Sequence, residues 1–184
     1  MSWRLTLLGR TFIPCVKLQM LDELARVTAE GFETDIPDWV GKTFAARVAE
    51  YAEFTAHRAD LLITSGDESA IEAAKERLRA GSTQLGTSLR TVLGVQSPKE
   101  AFDALKLLYG QIGIEMDGGP SGEVTVGRCF FADYYSDSVC RIVEALDQGL
   151  VAGLSDGASL EFSERLTEGR PQCRAFLCPS KGAP

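Results

Sequence analysis

The sequence predicts an α+β fold: a helical N-terminal part followed by a small β-α-β-β unit with an antiparallel sheet. Three observations carry this reading. Up to about residue 117, apolar residues recur every three or four positions, the period of helices with one buried face. From Glu123 onward the period shortens to two, which sends alternate side chains to opposite faces of a sheet. Between the alternating segments, a long run through Cys140, Val143, Leu146 and Val151 returns to helical spacing. The turn-rich stretch Met116-Asp117-Gly118-Gly119-Pro120-Ser121-Gly122 separates the two regimes. At 184 residues the chain reads as a single domain, 1–184, with a helical subdomain over 1–117 and a β-α-β-β subdomain over 122–178.

Each element has a local reason. The first helix spans Pro14 to Phe32, with Val16, Met20, Leu21, Leu24 and Val27 on its inner face. Pro14 suits its first turn and Gly31 its stop. A loop with Pro37 follows. The second helix covers Trp39 to Leu62, with Phe44, Val48, Tyr51, Ala52 and Thr55 inward. After Ser65-Gly66-Asp67, a helix is expected from Ser69 to Ala80, ended by Gly81, and a shorter one from Thr83 to Leu93, ended by Gly94. Ser97-Pro98-Lys99-Glu100 is a helix start, with a capping serine, proline in the first position and an acid in the first turn. That helix is expected to reach about Ile114. Beyond the glycine-rich stretch come a strand over Glu123 to Phe131, a helix from Ala132 or Asp133 to Leu154, a strand over Ala158 to Thr167, a turn at Gly169, and a strand over Gln172 to Cys178.

Composition narrows the function. The formal net charge is −7, which argues against nucleic acid as a partner, because phosphate binding needs a basic surface. No apolar run is long enough for a membrane span, and the first residues carry too short an apolar run for a signal peptide. Five cysteines is an odd number, which fits a reducing compartment better than a disulfide framework. The expectation is a cytoplasmic protein with a small-molecule substrate, no nucleic-acid or membrane partner, and a homo-oligomeric contact through an open edge at the last strand.

Chemistry concentrates between Cys129 and Phe176. Cys140 and Asp147 are seven residues apart, which places them on one face of a helix, with Glu144 near the same line. Period two puts Leu160, Phe162, Glu164 and Leu166 on one face of the third-last segment, so Glu164 is an expected inward carboxylate unless a bulge turns it out. Cys173, Ala175 and Leu177 share the inward face of the last strand. Cys129 follows Arg128 and precedes a helix start, the surroundings that lower a thiol's pKa. The cysteines lack the close Cys-x-x-Cys pairing of a strong zinc site, so neither metal nor cofactor is expected. Nucleophile and packed core thiol both stay open for them. His57, the single histidine, reads as a core or surface residue.

The pattern Arg128-Cys129-x-Phe131, Cys140, Asp147, Gly149-Leu150, Gly153-Leu154, Phe162, Leu166, Gly169, Cys173 and Phe176 resembles the 2-aminothiazoline-4-carboxylate hydrolase family. Its ending is similar to that of 4-vinyl-reductase-type ligand-binding domains. The first resemblance implies a hydrolase that opens a small C=N/C–S heterocycle or transforms a related amino acid derivative. On that reading Cys129, Asp147, Glu164, Cys140 and Cys173 are the catalytic candidates, and Arg128, Phe131 and Tyr134 the substrate-binding ones. The second implies a non-catalytic domain holding an apolar ligand between the helices and the sheet.

Overall fold

The computed structural model describes residues 14–118 and 122–178. Four helices come first: α1 (Pro14–Gly31), α2 (Phe44–Ser65), α3 (Glu68–Leu93) and α4 (Pro98–Gln111). Their starts follow the capping rule. Thr43, Asp67 and Ser97 each accept a hydrogen bond from the backbone amide three residues on. Glu100 reaches back to the Gln96 amide at 2.9 Å. Helices α2 and α3 end on Gly66 and Gly94, both in the left-handed conformation.

Helix α3 corrects the sequence reading, which divided it at Gly81. It is one unbroken helix of 26 residues. Its internal glycines serve packing instead. A Cβ on Gly81 would lie 2.9 Å from Val27 Cγ1 of α1, and one on Gly86 only 2.5 Å from the Leu150 carbonyl oxygen.

Helix α4 stops at Gln111, earlier than expected, and Gly113 at φ 82° turns the chain into β1 (Ile114–Gly118). This strand is the second correction, because the sequence reading placed helix end and hinge there. Five residues with Met116 as the sole buried one are too few to display a period. Strand β2 (Glu123–Cys129) pairs with it antiparallel, Gly118 opposite Val124. A 3₁₀ turn over Phe130–Asp133 leads to α5 (Asp137–Ser155), capped by Ser136. Strand β3 (Ser159–Glu164), a second 3₁₀ turn over Leu166–Glu168 and β4 (Cys173–Cys178) complete the order.

The described strands form one antiparallel sheet in the order β1-β2-β4-β3. The unit is therefore β-β-α-β-β. Strand β4 is paired on both sides, with Val126 opposite Cys173 and Phe162 opposite Ala175. Among the described strands the outer ones are β1 and β3, so β4 is not the open edge expected there. One sheet face carries Met116, Val124, Val126, Leu160, Cys173 and Ala175 into a core shared with α3, α4 and α5. The other face is wet. The core thus runs across the boundary drawn near residue 117.

Helix α5 packs on both β3 and the earlier helices. Its crossing with α3 is unusually close, because small residues meet there. A Cβ on Gly149 would sit 2.0 Å from Ser82 Oγ and 2.2 Å from the Arg79 carbonyl oxygen. One on Gly153 would sit 2.2 Å from the Thr83 carbonyl oxygen. No helix among the described residues is long and apolar enough to cross a membrane.

Candidate binding cavity

A cavity opens where α1, α2, α3 and α4 meet α5 and the end of β2. It holds about 110 Å³, counted as the space open to the centres of water-sized spheres. That is many times the room one water needs by this measure, about 10–15 Å³. Its wall is mostly apolar: Met20 and Leu24 from α1, Leu85 and Leu89 from α3, Leu108 from α4, Ile112 and Ile114 beyond it, Phe131, and Val143, Leu146 and Leu150 from α5.

Seven polar residues interrupt this wall: Tyr51, Tyr109, Tyr135, Cys129, Cys140, Glu144 and Asp147. Asp147 is the centre of the group. The Tyr109 hydroxyl donates a short hydrogen bond to Asp147 Oδ1. Among the described residues, no side chain donates to its second oxygen. Asp147 lies deep in the protein yet keeps accessible surface, because that surface faces the cavity. Burial pushes its carboxyl from 3.8 up to about 6, the Tyr109 bond pulls the other way, and the Glu144 charge adds to the rise.

Glu144, one turn earlier, is the wall's other carboxylate. Its Oε2 accepts from Arg165 Nη2 at 2.7 Å and Nε at 2.9 Å. The same guanidinium gives Nη1 to Glu168 at 3.0 Å, and Glu168 also accepts from Arg141. The Arg165 side chain is 7% exposed, so its charge is held almost wholly by these acids. A strict period of two would put Arg165 on the face opposite Leu160, Phe162, Glu164 and Leu166. A bulge between Phe162 and Glu164 shifts the register of β3 by one, which turns Arg165 inward and Glu164 outward.

Glu164 is therefore not in the cavity. It lies opposite Arg174 at the sheet margin, 3.7 Å from its Nε. Cys129 does line the cavity, and the amides of Phe131 and Ala132 point at its sulfur as the helix-start argument required. Burial still wins and pushes the thiol to about 11. Arg128 gives no help. It is exposed on the far face of the sheet and pairs with Glu115 at 3.3 Å. Cys140 also lines the cavity, and burial pushes it to about 12. Cys173 is a core residue outside the wall, whose sulfur accepts from the Leu166 amide at 3.3 Å. Phe131 lines the cavity, but Tyr134 packs on Phe130 with ring centroids 5.2 Å apart, and its neighbour Tyr135 takes the inward place. His57 is exposed. Among the described residues no group of three or more His, Cys, Asp or Glu side chains is placed to hold a metal ion.

No family model, curated protein or solved structure matches the chain. The residues of the pattern quoted above have separate places in the structure. Gly149 and Gly153 permit the α3–α5 crossing, and Gly169 at φ 77° makes the turn before β4. Cys173 closes a backbone hydrogen bond. Cys129, Phe131, Cys140, Asp147 and Leu150 are the members of that set that reach the cavity.

Sequence reasoning missed the three tyrosines and Arg165. Tyr51 and Tyr109 sit on predicted inner helix faces, and a buried phenol needs a polar partner. That was the available signal. Tyr51 meets the Thr28 hydroxyl at 2.8 Å, and Tyr109 meets Asp147. Arg165 left no signal, because a bulge is not visible in a strand of this length.

Proposed function

We propose that the protein is a binding domain for a small, mostly apolar molecule, held in the cavity between the helices and the sheet. The observation that supports this most is the cavity wall itself. Eleven of its 18 side chains are apolar, and among the polar ones Tyr109 donates to Asp147 in the wall. The walls come from helices and a strand end, which are rigid, so the site exists before the ligand arrives.

Ring-opening hydrolysis draws less support from this geometry. A nucleophilic cysteine must ionise near neutral pH, and both cavity thiols are pushed far above it. No histidine and no arginine stands in the wall to take a proton or to grip a substrate carboxylate.

The test is direct. Toluene binding is measured by ligand-detected NMR and by thermal shift on the wild type and on Val143→Phe, which fills the cavity. Saturable binding that Val143→Phe abolishes, and that Cys129→Ser keeps, is the expected result. Toluene that fails to bind, or binds Val143→Phe equally well, overturns the reading.

A further inference from the structure

Among the described residues, the Asp147 carboxylate stands in the cavity wall with no cationic side chain in that wall to match it. Asp147 is a central polar residue of the wall; Tyr109 takes one carboxylate oxygen, and among the described residues no side chain donates to the other. None of the 18 wall residues is Lys, Arg or His. The buried arginine behind Glu144 is committed to Glu144 and Glu168. A carboxylate in such surroundings keeps a large uncompensated desolvation cost. Its raised pKa, with burial as the main cause, is a sign of that imbalance.

A ligand can remove the imbalance or worsen it. An anionic ligand adds like charge. A neutral hydroxyl donates a hydrogen bond but leaves the charge unmatched. A protonated amine supplies both the proton and the countercharge. The rings of Tyr51, Phe131 and Tyr135 stand in the same wall, and aromatic faces attract an ammonium group further. Leu85, Leu89 and Leu108 provide the apolar surface for a carbon body.

We infer that the ligand is a hydrophobic primary or secondary amine, bound with its ammonium nitrogen at the free oxygen of Asp147 and its hydrocarbon part against the leucines. This rests on the cavity being a ligand site. It also names Asp147 as the residue that sets specificity.

The probes are 2-phenylethylamine, the near-isosteric 2-phenylethanol, and toluene. Affinities are measured by titration calorimetry near neutral pH on the wild type, Asp147→Asn and Tyr109→Phe. The amine is expected to bind the wild type at least about tenfold tighter than the alcohol, the preference one matched ion pair confers in a partly dry site. Asp147→Asn should erase that preference while toluene still binds. Tyr109→Phe should keep it, since the carboxylate remains. Equal affinity for amine and alcohol in the wild type overturns the inference without need of any variant, and so does a preference that survives Asp147→Asn. If toluene binds while the amine shows no advantage, only this inference falls. If none of the three probes binds, the ligand-site reading falls with it.

Discussion

Replacing Gly149 with alanine puts a methyl group into the α3–α5 crossing, and the structure says how badly it fits. The new Cβ would stand 2.0 Å from Ser82 Oγ and 2.2 Å from the Arg79 carbonyl oxygen, where ordinary contacts begin near 3.4 Å. Ser82 is fully buried and its hydroxyl is held by the Leu78 carbonyl at 2.8 Å, so it has little room to turn away. The Arg79 oxygen is backbone and moves only if the helix moves. Alanine gains about 1 kcal/mol of helix propensity over glycine, against about 1–3 kcal/mol or more for overpacking a rigid site. The net expectation is a loss of roughly 1–2 kcal/mol. Gly153→Ala, 2.2 Å from the Thr83 carbonyl oxygen, should behave alike, and the pair should not be additive because both push the same helix. Gly110→Ala is the control. Nothing lies within 4 Å of its Cβ, so propensity acts alone and stability should rise by up to about 1 kcal/mol. Urea unfolding followed by circular dichroism measures all three. If Gly149→Ala and Gly153→Ala match the wild type, or if Gly110→Ala is equally damaging, the close crossing is not real. Because α3 and α5 both wall the cavity, the two damaging variants should also weaken toluene binding.

Three more outcomes follow from the buried groups. Asp147 titrates at about 6 in the folded protein against 3.8 ordinarily, so folding binds its proton more tightly. Its contribution is most favourable below about pH 4 and is lost as pH rises through about 6, a swing on the order of 3 kcal/mol. Asp147→Asn should therefore be more stable than the wild type near pH 7.5, and the gap should close near pH 4; a gap independent of pH would contradict the assignment. Arg165→Met strands Glu144 and Glu168 and should cost roughly 2–4 kcal/mol, with part recovered by adding Glu144→Gln; a neutral Arg165→Met would show the cluster to be inert. Cys129 and Cys140, pushed to about 11 and 12, should resist iodoacetamide in the native protein and react once it is unfolded, as read by peptide mass mapping. Alkylation at the rate of a free thiol would restore the nucleophile reading.

Much of this was written locally in the chain. The α+β class is visible because helix and strand periods depend on side chains three or two positions apart. Caps such as Ser97 and stops such as Gly66 and Gly94 act through bonds within one turn, so their positions are readable too. The seven-residue spacing of Cys140 and Asp147 sufficed to place both on one face, and both line the cavity. Other features depend on partners far away in sequence. Gly81 looks like a helix end until Val27 is seen against it. Strand β1 is defined by its pairing with β2, not by its own five residues. The exchange of Glu164 for Arg165 on the inner face comes from a bulge opposite Arg174, which a strand read alone does not reveal. The cavity is the extreme case. It is space left where five helices and a strand end fail to fill it, and Tyr109 meets Asp147 across 38 positions of chain only once that space is enclosed. Spacing along a chain determines which face a residue occupies; only packing decides what that face looks onto.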